Sequence, residues 1–179
     1  MNDLDARLAN MLATRDSARD PRDFFLDLVD LVARGAAETL GRPINEIGIL
    51  IAGGDGKYLR FAAPRKLSEM GTIPITKRDS IAISVFTRKN SEANNNVPLA
   101  RHVSFFESVK VSEKVQPIMK MVTVPIISNG QAIGVAQVSK KGDTLAEAGA
   151  DFNAADVRRV TEYFESKADF LVAARPERF

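Results

Sequence analysis

The sequence predicts an α+β domain: an antiparallel sheet built from hairpins, with helices from both ends of the chain packed on one face. Three observations lead there. Asn129-Gly130 joins two apolar runs, and this pair suits a type I′ hairpin turn because both central positions need positive φ. Residues 21–40 and 153–173 carry wide apolar stripes at helical spacing. Between them the periodicity is that of strands, so hairpins lie in the middle and helices at the two ends.

Leu4, Leu8, Met11 and Leu12 recur at helical spacing and predict an amphipathic helix over 3–15. Asp20-Pro21 reads as an N-cap with proline at the first helical position. Phe24, Phe25, Leu28, Leu31, Val32, Ala36 and Leu40 then form one stripe, and Gly41 is a C-terminal cap. Ile47 to Ala52 is continuous and apolar, as in a strand buried on both faces. Gly53-Gly54-Asp55-Gly56 turns the chain, and Tyr58 to Ala62 alternates like a paired strand. Residues 72–76 read as a short extended piece. Ser80 caps a helix through Arg88 that buries Ile81, Val85 and Phe86. Asn90 to Pro98 is polar and reads as loop. Residues 99–118 read either as helix from Val111 or as irregular chain around Phe105-Phe106. Strands follow at 121–127 and 132–138, with Pro125 implying a bulge or an unpaired position. Gly142 to Asp151 is small and polar and reads as mobile. The final helix starts after an Asn153 N-cap, with Phe152 and Val157 as a hydrophobic staple. Its stripe runs through Val160, Phe164, Ala168 and Leu171.

Composition narrows the function classes. The chain has 179 residues, 45% hydrophobic and 27% charged, which suits one domain with a full core. Its 25 basic and 23 acidic residues give a net charge of +2. The basic doublets are scattered among acids, so a nucleic-acid face is not expected. No apolar run approaches the roughly 20 residues of a membrane span. The N-terminus lacks an apolar signal core, which predicts a cytoplasmic protein. There are no cysteines, hence no disulfide, thiolate metal site or cysteine nucleophile.

The second hairpin and last helix resemble a GAF domain. Met121 to Ile127 with Val124-Pro125-Ile126, the turn, and Ala132 to Val138 with Ile133-Gly134-Val135 are similar to that family's late hairpin. Phe152-Asn153-Ala154-Ala155-Asp156 resembles its helix entry, and Ser80 to Phe86 with Asn94 to Val97 its middle segment. The resemblance covers about residues 20–172. It implies a PAS-related, six-stranded antiparallel sheet. The N- and C-terminal helices pack on one face; loops and short helices over a ligand pocket lie on the other. It also implies a small-molecule or protein-binding role, and dimers formed through the terminal helices. On this reading 1–19 is an N-terminal helix and connector, 20–173 the domain and 174–179 a tail.

The family's cyclic-nucleotide binders carry an asparagine–lysine pair, then phenylalanine, three residues, aspartate and glutamate. Lys140, Phe152 and Asp156 match, whereas Ser139 and Val157 depart. Their resemblance implies a Lys140–Asp156 ion pair beside a pocket; the plainer reading is a staple and a helix-start anion. Pocket walls are expected from Phe86, Val97, Phe105, Phe106, Met119 and Met121, with polar contacts from Asn94, Asn95, Asn96, His102, Ser104 and Thr123. The plainer reading is that these side chains fill a core, the commoner fate of Phe and Met, and the three adjacent asparagines tip the balance slightly to the pocket. His102 is the one histidine, and without a second histidine or any cysteine it predicts no haem or metal site. Gly53 to Lys57 lacks the spacing and following Ser/Thr of a phosphate loop. No carboxylate pair or nucleophile elbow is present, and the family's redox-active members are not models for a chain without cysteine. The expectation is a non-catalytic sensor of unidentified ligand. It forms a homodimer and signals through a separate output protein. The alternative is a ligand-free dimerisation or interaction module.

Overall fold

The computed structural model describes residues 3–17, 20–99 and 116–179. Helix α1 (Asp3–Ala13) leads into α2 (Pro21–Leu40). Asp20 caps α2 as the sequence predicts, its carboxylate accepting from the backbone N–H of Arg22 at 2.7 Å and Asp23 at 3.2 Å. Gly41 ends the helix in the left-handed region, φ 64°. The first hairpin is β1 (Ile47–Ala52) and β2 (Tyr58–Ala63), followed by the short β3 (Thr72–Pro74). Ser80 caps α3 (Ile81–Arg88). Then come β4 (Glu92–Asn94), β5 (Ile118–Ser128), β6 (Gln131–Lys141), α4 (Ala154–Glu165) and α5 (Ala168–Ala174).

Among the described residues the strands make one antiparallel six-stranded sheet, in the order β3-β2-β1-β6-β5-β4. Alternation divides its side chains into two layers. Ile47, Ile49, Ile51, Val122, Val124, Ile126 and Val138 face the terminal helices, against Leu8, Phe25, Val32, Val160, Phe164 and Leu171. Leu50, Phe61, Met121 and Val135 face the other way, against Ile81, Ala82 and Val85 of α3. Fully burying one such side chain contributes about 1.5–3 kcal/mol. The larger first layer therefore carries most of the stability.

Three elements differ from the sequence expectation. The stretch 90–98, expected as loop, contains the edge strand β4, whose Glu92, Ala93 and Asn94 pair with Thr123, Val122 and Met121. Register on a preformed sheet outweighs the poor strand propensity of asparagine. The last helix, expected unbroken over 153–173, is two helices. Ser166 Oγ donates to the Tyr163 carbonyl at 2.7 Å, taking the acceptor that Lys167 N–H would use in a continuing helix. Lys167 N–H turns to the Phe164 carbonyl instead. Residues 142–151, expected to be mobile, are tied down: Lys120 Nζ donates to Gly149 O at 2.6 Å and Asp151 Oδ1 at 2.7 Å, and Lys140 Nζ to Ala150 O at 2.6 Å. Pro125 meets its expectation. It lies beyond the part of β5 that β4 covers, one residue before a register shift at Ile126/Ile127.

α1 docks on α2 at Gly35, where a Cβ would fall on the Leu4 side chain and 2.6 Å from Tyr163 Oη. Tyr163 in turn donates to the Val32 carbonyl at 2.7 Å. Glycine inside a helix ordinarily costs about 1 kcal/mol relative to alanine. Gly35→Ala is nevertheless expected to destabilise, by about 1–3 kcal/mol, because the overpacking outweighs the propensity gain. Urea unfolding checks the sign; a stabilised variant would refute the close approach. Burial, with the nearby Asp5 and Glu38 carboxylates, pushes the Tyr163 phenol well above its usual pKa of 10.0. A raised folded pKa favours folding fully below pH 10, and the benefit is lost as pH climbs further. Stability is thus expected to fall above pH 10, and a denaturation series in Tyr163→Phe should show a shallower fall.

Candidate functional site

The face of the sheet turned away from the terminal helices carries an unusual row. Gly48 on β1, Gln137 on β6 and Thr123 on β5 are register partners side by side. Thr123 is fully buried, and Gln137 is 5% exposed. Gln137 Nε2 donates to Thr123 Oγ1 at 3.3 Å, while Gln137 Oε1 is buried with no hydrogen-bond partner among the described residues. On one side runs the apolar row Leu50–Val135–Pro125; on the other Ser139 pairs with Met121, and Met121 with Asn94. The Ser139 hydroxyl donates to the Glu46 carbonyl at 3.2 Å. Phe86 of α3 packs half-buried against this layer.

Of the residues expected to form a pocket, Phe86, Met121, Thr123 and Asn94 therefore meet on this face. The other asparagines do not form one polar cluster with them. Asn94 Oδ1 accepts from the Asn96 N–H at 2.9 Å. The Asn95 amide is spent on the far side: Nδ2 donates to Phe152 O at 3.0 Å, and Oδ1 accepts from Phe152 N–H at 2.8 Å. That two-point bond fastens the segment beside the second face to the entry of α4. His102, Ser104, Phe105 and Phe106 lie outside the described residues.

Lys140 and Asp156 have local structural partners. The Lys140 ammonium caps the Ala150 carbonyl and sits 4.3 Å from the Phe152 ring centroid. Burial, then the Arg42 charge, lowers its pKa, and Asp156 partly offsets this. Asp156 Oδ2 accepts from the Asn153 N–H at 3.0 Å, and Asn153 Oδ1 accepts from the Asp156 N–H at 3.1 Å, a full capping box. The implied direct ion pair is replaced by these contacts, and both residues belong to the helix-facing side, where Phe152 is buried. Asp156→Ala is expected to cost about 1 kcal/mol as a lost cap. A thermal melt reads it out, and no change would argue that the carboxylate serves something else.

Sequence reasoning missed Gln137. Its signal was parity: it breaks the apolar run from Ala132 to Val138 on the same side as Val135. Among the described residues no cluster of histidine or carboxylate side chains could hold a metal ion, and no helix is long and apolar enough to cross a membrane.

No protein-family model matches the sequence, and no curated protein does. Solved structures do. The GAF domain of a phosphoenolpyruvate-protein phosphotransferase from Coxiella burnetii superposes with TM-score 0.62 at 13% identity, covering 97% of this chain and 95% of that one. The chain has the GAF-domain fold. A methyl-accepting chemotaxis protein, residues 122 to 287, matches with TM-score 0.65 at 19% identity over 92% of this chain and 96% of that one. The GAF fold also holds an enzyme. Free methionine-R-sulfoxide reductase from Neisseria meningitidis, solved with its substrate, matches with TM-score 0.58 at 16% identity over 94% and 87% of the two chains. At such identities the likeness establishes the GAF fold and its six-stranded sheet, and leaves the activity to the site's own residues.

Proposed function

We propose that this chain is a non-catalytic regulatory module of the GAF fold that takes a small molecule on the second face of its sheet. The observation that carries the reading is the buried polar pair Gln137–Thr123 beside Gly48, set in a mainly apolar layer. Such a lining, mainly apolar with a few placed polar groups, is that of a ligand site. The Asn95–Phe152 bond supplies a mechanical link from beside that face to α4, through which occupancy reaches the terminal helices and a separate output protein. The chain offers no cysteine, and the hydroxyl–carboxylate contact among its described residues, Ser128 Oγ donating to Asp169 Oδ1 at 2.7 Å, lies away from that face at the end of β5.

A thermal-shift screen of nucleotides and metabolites tests this. A true ligand at 100 times its Kd stabilises by about 2.7 kcal/mol, saturably. No shift with any compound, together with a crystal structure showing the second face packed solid, would sink the reading. What survives then is a ligand-free interaction module. The observation favouring it is that Lys140 and Asp156 have local structural partners. Both readings include a homodimer through the terminal helices, where Leu4, Met11, Leu12, Leu31 and Leu40 stay half-exposed at the rim of the core. Light scattering at the monomer mass over a wide concentration range would exclude it.

A further inference from the structure

Two departures from ordinary strand design meet at one spot on the second face. The first is Gln137, whose side-chain oxygen is buried without a partner among the described residues. Leaving a buried acceptor unmet destabilises a fold, because the group gives up its water and gains no partner. An apolar residue of the same length would avoid that cost. The second is Gly48, its register partner. Glycine in a strand forfeits packing and entropy. Here no crowding demands it: a Cβ on Gly48 would meet Gln137 Cβ at 3.7 Å, its backbone oxygen at 3.8 Å and Oε1 at 4.0 Å, all ordinary contacts. Its φ lies outside the left-handed region as well. The place a side chain would take on Gly48 therefore has Gln137, and its unmet oxygen, as its nearest neighbour. Residues that break local rules at the same place mark function more often than chance.

We propose that the Gln137 amide anchors a small uncharged ligand carrying a hydroxyl or N–H donor, seated over Gly48. The inference rests on the reading that the second face takes a ligand, and adds that ligand's chemistry. The neutral character follows from the neighbours. Thr123, Ser139, Leu50 and Met121 cannot ionise at neutral pH, the carboxylate of Glu92, which continues the row beyond Thr123, is exposed to solvent, and Arg42 and Glu46 at the end of the sheet are paired with each other. A buried charge brought here without a counterion would lose far more than one hydrogen bond returns. A hydroxyl suits the amide in either orientation, donating to the oxygen or accepting from the nitrogen.

The test uses the full chain and two probes of matched size, phenol and toluene, which differ by one hydroxyl. Binding is followed in ¹H–¹⁵N spectra at the Gly48 and Thr123 backbone amides and the Gln137 side-chain amide. Phenol is expected to bind about tenfold tighter than toluene, the ratio that one net hydrogen bond supplies. Q137M should abolish that preference, and G48V, which fills the space and leaves the amide in the protein, should block both probes. Without probe, Q137M should melt about 2–4 °C higher, as relief of an unmet acceptor predicts for a chain of this size. If both probes bind equally to wild type and to Q137M, the anchor is overturned while the ligand face stands. Should neither probe move the three reporters, the ligand face falls and the anchor with it. A Q137M variant melting several degrees lower would show the amide to be structural and overturn the proposal.

Discussion

Phe179→Ala is expected to destabilise the protein by about 3 kcal/mol, the lower end of the range for truncating a buried phenylalanine. The residues after α5, which the sequence presents as a tail, fold back onto the domain. Phe179 is 2% exposed and belongs to the helix-facing core. Its ring meets Phe25 edge-on, centroids 4.8 Å apart. Its carbonyl accepts from Tyr58 Oη at 2.8 Å. The Gly53-Gly54 pair makes this possible: a Cβ on Gly53 would strike the Tyr58 ring, and one on Gly54 the Glu177 carbonyl. So the stretch that superficially resembles a phosphate loop is shaped by the closing contact of its own chain. A loss near 3 kcal/mol corresponds to a melting shift of about 6–12 °C for a domain of this size. Phe179→Leu, which keeps most of the apolar volume, should lose less than half as much. Chemical denaturation showing less than about 1 kcal/mol for Phe179→Ala would mean the ring sits on the surface of the fold.

What was legible in the sequence was what local chemistry dictates. Asp20, Pro21 and Gly41 fixed α2 to the residue, because caps satisfy orphan backbone groups by short-range geometry. Asn129 and Gly130 both take positive φ, and the hairpin around them is the longest in the sheet. The Asn153 cap was equally plain. The site was only half legible. Met121 and Thr123 carry the right parity, and Phe86 the right helix face. The asparagine run misled because residues adjacent in sequence point to opposite faces of a strand. Asn94 therefore lies beside Met121, while Asn95 reaches across to Phe152. Gln137 escaped notice because one polar residue in an apolar strand acquires meaning only beside its cross-strand partners. The helix break at Ser166 and the return of Phe179 depend on which carbonyl and which cavity tertiary packing supplies, and no window of sequence contains either.

Asp5→Ala is expected to cost about 3 kcal/mol, more than a surface carboxylate could. Lys167 enters the domain at the α4–α5 break with its side chain 4% exposed, and its ammonium meets Asp5 Oδ1 of α1 at 2.6 Å; the aspartate is 23% exposed. The same ammonium lies 5.5 Å from the Tyr163 ring centroid. An exposed ion pair contributes at most about 1 kcal/mol. Removing one partner of a buried pair is different, because the remaining charge keeps its desolvation cost without its compensation. Lys167 is that stranded charge. The contact joins the first helix of the chain to the junction of the last two, so its loss should also free α1 before the sheet yields. Hydrogen exchange in Asp5→Ala should therefore speed up first over residues 3–13, while β5 and β6 stay protected. The double variant Asp5→Ala/Lys167→Met separates the causes. Methionine retains the buried chain length and removes the charge, so the double variant should recover most of the loss, with a coupling energy of about 1–3 kcal/mol in the cycle. Additive losses instead would show that Lys167 is already solvated and that apolar contacts alone, such as Leu4 on Gly35, hold α1 in place.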